Sequence, residues 1–422
     1  AKASAGRGSM RLSLTGGVKD LLTLKDMDLQ YRFNGHELAE IGPLLGAELP
    51  DLGSFDVQGK LTGTLQALSL KPLKAVIDKS DFRGQAAVAF LKPPKVTVRL
   101  DSSVVDLAVL TKSLEKDEHK PAKEEKPKRR LFADDPLPLD FLQKVDADIV
   151  LKAKHMHVRD ARFELGHLAF KLEDRDFHIE KFEATYKETR LSGNLSIEHG
   201  APPRVATDFL VQNLDLGSLL KETGKSDEVR AIIDIAAHGT SKGNSVQGLM
   251  ANLEGAIGGV MGEGYLTNYL DILSEGLSAK VIQFWDPPKD VDQIKCAVVQ
   301  FDIHKGVAAS RAFVFDTRAG VIDGAGQINL GNEKIDFLLV PKPKHLELGI
   351  KPKLKVGGTV MEPQVGVAKL SLLTSGTKGL SELVVGPLGL LAPFTHLGAA
   401  KAHPCDVKDI GQTGLDTPDE KQ

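Results

Sequence analysis

The chain has 422 residues, with 54 basic and 57 acidic side chains and a formal net charge of −3. That near-balance, with both signs interspersed, leaves no electrostatic footprint for nucleic acid, and the length exceeds one ordinary compact domain. Aromatic residues make up 5% and Trp285 is the single tryptophan, which argues against aromatic-lined sugar clefts and single-strand stacking platforms.

The chain opens Ala1-Lys2-Ala3-Ser4 without Met and reads as a fragment or processed form. From there strand patterns recur almost everywhere. Phe55 to Gly59, Val96 to Leu100, Ile149 to Ala153, Phe177 to Ile179, Val299 to Ile303, Phe313 to Phe315, Ile335 to Val340 and Leu354 to Val356 alternate apolar with polar. A period of two predicts half-buried antiparallel strands with one wet face. Asn34-Gly35, His199-Gly200, Lys305-Gly306 and Asp323-Gly324 read as turns.

An internal repeat is visible. Asp81-Phe82-Arg83-Gly84, Pro93-Pro94-Lys95-Val96 and Asp106-Leu107 are echoed 109 residues later by Arg190-Leu191-Ser192-Gly193, Pro202-Pro203-Arg204-Val205 and Asp215-Leu216. A looser third copy starts at Leu29 and leads into Leu38 to Leu45. The unit reads as strand, double-proline turn, strand and short helix, with Asp106 and Asp215 as helix N-caps. Units repeated in this way stack sideways and share a core.

Lys112 to Arg130 is dense in charge and predicts a mobile loop, because it has little apolar surface to offset ordering. Gly255 to Gly264 resembles a phosphate loop but lacks its lysine; close backbone packing accounts for it better. Leu266 to Trp285 carries a helical apolar stripe, and Pro287-Pro288 stops it. Gly379 to Ala400 is apolar but contains Glu382, Pro387, Pro393 and His396, so it reads as a docked terminal segment rather than a membrane span. The domain reading is therefore residues 1–111 (β-repeat segment), 112–130 (charged loop), 131–264 (second β-repeat segment), 265–288 (amphipathic helix) and 289–422 (C-terminal β segment with an apolar tail).

Chemistry-bearing constellations are sparse. His155 and His157 share one strand face, but no further ligand stands at metal spacing. Paired acids such as Asp134/Asp135 and Asp146/Asp148 suit wet turns and strand faces, and there is no nucleophile elbow. No catalytic residue, metal site or cofactor is expected. The two cysteines, Cys296 and Cys405, fit no metal knuckle and read either as one disulfide, implying an oxidising compartment, or as two separate buried thiols.

Leu131-Phe132-Ala133-Asp134-Asp135-Pro136-Leu137-Pro138-Leu139-Asp140 and Val145 to Ile149 resemble the AsmA family of Gram-negative bacteria. So do Ile294 to Val298, Ile322-Asp323-Gly324-Ala325-Gly326-Gln327-Ile328-Asn329-Leu330, Pro341 to Lys344, Val356 to Pro363 and the tail Gly386 to Phe394 with Pro404-Cys405. The resemblance implies a mainly β fold: a long, curled antiparallel β-sheet forming an open trough, with a few capping α-helices. It further implies a periplasmic, non-enzymatic protein anchored to the inner membrane by an N-terminal helix absent from this sequence. Glycerophospholipid would be the ligand, with outer-membrane components as further partners. The family's paired cysteines correspond to Cys296 and Cys405, which favours the disulfide.

The groove candidates are Val96, Val98 and Leu100 on one strand, Val205, Phe209 and Val211 on another (with Thr207 at the repeat position of Val98), and Ile335, Phe337 and Leu339 on a third. Some two dozen strands at about 4.8 Å each would make a trough on the order of 100 Å long. Residue pattern alone allows these faces to meet in a closed sandwich instead; the resemblance favours the open form. The competing function is a scaffold for outer-membrane proteins that pairs an edge strand with its client.

Overall fold

Alternation is carried through into strands throughout the computed structural model, which describes residues 2–20, 25–37, 40, 53–106, 130–158, 161–222, 229–266, 292–318, 320–344, 353–368 and 405. The chain divides into two units: residues 1–127 with 138–200, and 128–137 with 201–422. The fold is mainly β in both, as the sequence predicts. The charged segment short of Arg130, the helix after Leu266 and the tail at 379–400 lie outside the described residues.

The first unit contains β1 (Lys2–Arg7), β2 (Met10–Asp20), β3 (Lys25–Gly35), β4 (Phe55–Gly63), β5 (Ala67–Ile77), β6 (Ser80–Ala89), β7 (Lys95–Asp106), β8 (Asp146–Val158), β9 (Ala161–Glu173), β10 (Asp176–Tyr186) and β11 (Thr189–Glu198). Each strand pairs with the next, antiparallel at every step but one. The exception is β7–β8, which is parallel from Lys95↔Asp146 to Asp106↔His157. The chain therefore returns along the full strand length between Asp106 and Asp146, a crossover that the alternation pattern does not encode. A 3-10 turn, Asp140–Gln143, ends that return. It places Leu142 on Ala147 and Leu172, with Leu139, Val145, Phe177 and Ile197 around them.

The second unit contains β12 (Arg204–Asp215), β13 (Val229–Arg230), β14 (Ile232–Lys242), β15 (Glu254–Met261), β16 (Gly264–Leu266), β17 (Asp292–His304), β18 (Val307–Thr317), β19 (Gly320–Asn329), β20 (Lys334–Pro343), β21 (Leu354–Gly358) and β22 (Pro363–Val367). Its antiparallel ladder runs β12-β14-β15-β17-β18-β19-β20-β21-β22. The short β13 and β16 extend it beside β17. Two short helices interrupt the strands, α1 (Leu216–Glu222) and α2 (Val246–Ala251). Asp215 caps α1 as predicted: its carboxylate accepts from the Ser218 N–H at 3.0 Å and from the Ser218 hydroxyl at 2.7 Å. Leu216 and Leu220 of α1 then pack on Ala231, Met261 and Ile294.

The repeat is structural and longer than the motif match. β4 to β7 and β9 to β12 share strand positions at an offset of 109 residues. β5, β6 and β7 have the same bounds as β10, β11 and β12 once shifted. The registers coincide as well: Gly63↔Leu68, Leu61↔Leu70 and Gly59↔Leu73 correspond to Leu172↔Phe177, Phe170↔Ile179 and Leu168↔Phe182, and the same bulge interrupts both ladders. Pro93 and Pro202, one in each double-proline turn, both follow cis peptide bonds.

Two turn readings change, Asn34-Gly35, which is the paired end of β3, and Asp323-Gly324. Lys305-Gly306 is a tight hairpin turn with both residues at positive φ, as predicted. Asp323-Gly324, by contrast, lies inside β19. There Asp323 pairs with Lys342, while a side chain at Gly324 would collide with the rings of Phe313 and Phe337. That glycine admits two aromatic rings onto the strand; it does not bend it. Gly255 to Met261 is likewise strand β15, its backbone close to the His238 carbonyl, so the phosphate-loop likeness is close packing, as expected.

Leu131 to Leu137 is clasped within the second unit. The Leu131 and Phe132 N–H groups donate to the buried Glu333 carboxylate at 3.0 Å. The Gln247 N–H donates to the Ala133 carbonyl at 2.9 Å, and the Leu137 N–H to the Asn244 carbonyl at 2.7 Å. Ser245 caps α2 by accepting from the Gly248 N–H, and its hydroxyl donates to Asp134 at 3.0 Å. Burial pushes the Glu333 carboxyl up, but the two N–H donors and Arg130 outweigh it and hold the group below the usual carboxylate range. A carboxyl lowered by folding stabilises fully above its unfolded value, and the contribution is lost as pH falls through the folded value. Protection of the Leu131 and Phe132 amides, measured against their intrinsic exchange rates at each pH, is therefore expected to hold at neutral pH and to fall about tenfold or more once acidification protonates Glu333. Glu333→Gln should show the reduced protection already at neutral pH. Exchange that stays slow in the variant would show that the carboxylate does not hold the clasp.

Candidate functional site

Register decides which side chains share a face, because a partner directly across a ladder lies on the same side of the sheet. In the first unit, Leu100 heads a cross-strand row through all eleven strands: Ala3, Leu14, Tyr31, Gly59, Leu73, Gly84, Leu100, Leu151, Leu168, Phe182 and Gly193. Val98 lies in a parallel row with Gly16, Leu29, Leu61, Leu70, Ala86, Ile149, Phe170, Ile179 and Leu195. Val96 lies in a third, with Val18, Met27, Gly63, Leu68, Val88, Ala147, Leu172, Phe177 and Ile197. No member of these rows is charged. Ten strand spacings of about 4.8 Å give the longest row a path of roughly 50 Å along the ladder.

The opposite face carries the ions. Lys60 pairs with Asp28 at 3.0 Å, Lys95 with Glu173 at 3.1 Å and Arg99 with Asp148 at 2.6 Å. Arg99 also donates to the Asp148 carbonyl at 2.8 Å. Each exposed pair is worth little by itself, but together they oppose register errors. A slip of one residue would bring this charged set onto the uncharged face.

The second unit repeats the arrangement. Phe209, Ala237, Ile257, Phe301 and Ser310 form one row. The Ser310 hydroxyl accepts the Gly326 N–H at 2.9 Å, and the row continues through Gly326, Phe337, Val356 and Val365. Val211 aligns with Ile235, Gly259, Val299 and Phe313, and Leu339 with Gly324, Leu354 and Val367 on the same side. Ile335 aligns with Ile328, Ala308, Ile303, Gly255, Gly239 and Thr207. Val205, two residues from Thr207 and opposite Ser241, completes the β12 set. All six candidates of this unit thus share one face, as do the three of the first unit. Asp323–Lys342, Asp336–Lys355 and Asp302–Arg311 lie on the other side.

The faces are unevenly filled. Phe337 is buried beneath its neighbours, its ring centroid 5.2 Å from Phe313 and 6.1 Å from Phe301. Phe209, on the same row, is 41% exposed, and Ile257 is 40% exposed. Val96, Val98, Leu100, Ile149, Leu151, Phe170 and Ile179 are half-buried. The few polar members of the first unit's face stand out. Tyr31 Oη and Ser102 Oγ are buried without a hydrogen-bond partner, and burial raises the Tyr31 phenol above its ordinary value. The rows contain many apolar residues that single-strand reading did not single out, Leu61, Leu70 and Phe301 among them; their alternation was visible, their alignment was not.

Cys296 and Cys405 form a disulfide with Cα atoms 6.3 Å apart. It brings Cys405 onto Val298, against which Ala236, Val260 and Ala312 also pack, on the side away from the uncharged rows. Opposite Cys296 stands the fully buried Asp316, paired with Lys344, which also donates to the Thr317 carbonyl at 2.9 Å. Among the described residues no group of three or more His, Cys, Asp or Glu side chains is placed to hold a metal, and no helix is long and apolar enough to cross a membrane.

The AsmA family profile matches residues 2–313. The chain belongs to the AsmA family. It is 24% identical over 412 residues to the AsmA family protein YhjG of Escherichia coli (strain K12), covering 91% of this chain and 60% of that protein. The chain thus spans less than two thirds of that relative's length. No solved structure matches it. Of the stretches that carry the sequence resemblance, Leu131 to Leu137 lies in the clasp on Glu333 and α2, and Ile322 to Asn329 runs along β19, where its glycines lie beneath the rings of Phe313 and Phe337.

Proposed function

We propose that the uncharged face of each unit is a lipid-holding surface, and that this AsmA protein supports glycerophospholipid transfer between the membranes of the bacterial envelope. The observation that carries the reading is the set of charge-free rows running through up to eleven strands, many of whose members remain partly exposed. Acyl chains lying along such rows would gain about 0.8 kcal/mol per buried CH₂. Rows repeating every ~4.8 Å offer many near-equivalent positions, so a lipid can be held and still advance. The ion-paired face of the first unit stays in water, while in the second unit the corresponding side is covered around Val298.

The disulfide supports a periplasmic location, and family membership supports anchoring of the whole protein to the inner membrane. On this reading the protein is a conduit and not an enzyme, with outer-membrane components as further partners. Native mass spectrometry of the purified chain tests it. Phospholipid is expected to co-purify and to be lost from Val98→Asp and Phe209→Asp, whose side chains are half-buried or exposed and tolerate the change better than Phe337. A chain free of lipid that captures unfolded outer-membrane strands would replace the conduit with a strand-pairing scaffold.

A further inference from the structure

The two copies of the 109-residue repeat provide an internal control for what the fold itself requires. Strand bounds coincide for β5–β7 and β10–β12, the β5–β6 register and bulge recur in β10–β11, and β9–β10 follows β4–β5 from the turn as far as His167↔Glu183. The double-proline turns share a cis proline as well, so a residue type that differs between them is not demanded by the turn; at the β4–β5 position the backbone differs too, Asp174 and Arg175 taking positive φ where Leu65 and Gln66 do not. Two adjacent turns differ sharply. In the first copy, the β4–β5 turn carries Leu65 and the β6–β7 turn carries Phe90-Leu91; these are 53%, 56% and 62% exposed, among the most exposed large apolar side chains described. In the second copy the same positions, 109 residues on, are Asp174 and His199-Gly200, all exposed. The two first-copy turns are joined directly, since the Phe90 N–H donates to the Gln66 carbonyl at 2.8 Å and Ala67 pairs with Ala89.

Exposed leucine and phenylalanine at turn tips lose solvation free energy and gain no packing in this fold. Between Gly63 and Lys95 at these tips the charged side chains are Lys92 and Lys95, the latter paired with Glu173 at 3.1 Å, and neither turn holds an acid of its own. The second-copy turns instead hold Glu173, Asp174, Arg175 and Asp176. Apolar tips flanked by lysine suit the boundary between acyl chains and anionic head groups. A protein partner would more often call for a shaped, hydrogen-bonding rim. The uncharged rows begin one residue inside these turns, at Leu68, Val88 and Val96.

We propose that Leu65, Phe90 and Leu91 insert into the surface of an anionic phospholipid bilayer, docking this end of the first unit against the membrane. The inference rests on the lipid-holding reading for its purpose, though not for its test. Flotation of the full chain with vesicles of phosphatidylethanolamine and phosphatidylglycerol measures it. The wild type is expected to float with the vesicles. Leu65→Asp/Phe90→His/Leu91→Gly, which installs the second copy's own residues, is expected to bind about tenfold or more weakly. The single Phe90→His variant should give an intermediate loss and guards against misfolding of the triple variant. Wild-type protein that fails to float, or variants that float equally well, would overturn the proposal.

Native mass spectrometry on the same samples keeps the two readings apart. If the triple variant loses vesicle binding but keeps its co-purifying lipid, docking is separate from holding and both stand. If vesicle binding depends on the turns while no form of the protein carries lipid, the docking proposal stands and the lipid-holding reading falls.

Discussion

Replacing both Cys296 and Cys405 with Ser is expected to lower stability by about 4–5 kcal/mol, the largest effect of any single bond in the chain. The bond closes a loop with a sequence separation of 109 residues, and in the chain-entropy account the benefit grows with loop length because more unfolded conformations are removed. Local packing adds to this. Cys405 covers Val298, one of the most deeply buried side chains of the second unit, together with Ala236, Val260 and Ala312. Urea unfolding followed by β-sheet circular dichroism, with and without reductant, measures the difference. Reductant should reproduce the double variant's midpoint in the wild type and leave the variant unchanged. Coincident midpoints for oxidised and reduced wild type would show that the bond does not restrain the unfolded chain.

Phe337→Ala is expected to cost about 3–5 kcal/mol, because the ring is 7% exposed and fills the space between Phe301, Phe313 and the side-chain-free Gly324 and Gly326. Phe209→Ala, on the same cross-strand row, should cost less than about 1.5 kcal/mol, since that ring is 41% exposed. The contrast separates two uses of one apolar face. Around Phe337 the sheet's own aromatic rings cover the rows; around Phe209 and Ile257 they do not, and that is where a ligand would find surface. Equal losses for the two variants would mean that Phe209 is packed as tightly as Phe337 and would remove it from the candidate surface.

Much of this was legible in the residues. Alternation alone located strands at Phe55, Val96, Ile149, Phe177, Val299, Phe313, Ile335 and Leu354, all of which lie in β-strands. The repeat was readable because proline pairs, glycines and aspartates recur at one spacing, and the same offset holds for strand bounds and bulges. Asp215 was readable as a cap because a short carboxylate before a helical run can reach the N–H three residues on. Asp323-Gly324 misled because a glycine that admits an aromatic ring and a glycine that turns the chain look alike locally. The exposed tips Leu65, Phe90 and Leu91 could have been found by comparing the two copies position by position, since Asp174, His199 and Gly200 stand in their places.

The sequence by itself determined that the strands have one apolar and one charged side, because period-two patterning is local to each strand. It also determined the repeat, since equivalent residues impose equivalent turns. Only the tertiary structure decided that Leu100, Tyr31 and Phe182 belong to one row, or that Phe209 and Phe337 do. Alignment between strands depends on pairings, bulges and one parallel crossover that lie many residues apart in the chain. The same holds for burial: Phe209 and Phe337 are the same amino acid in the same alternating pattern, and only neighbouring strands cover one ring and leave the other exposed.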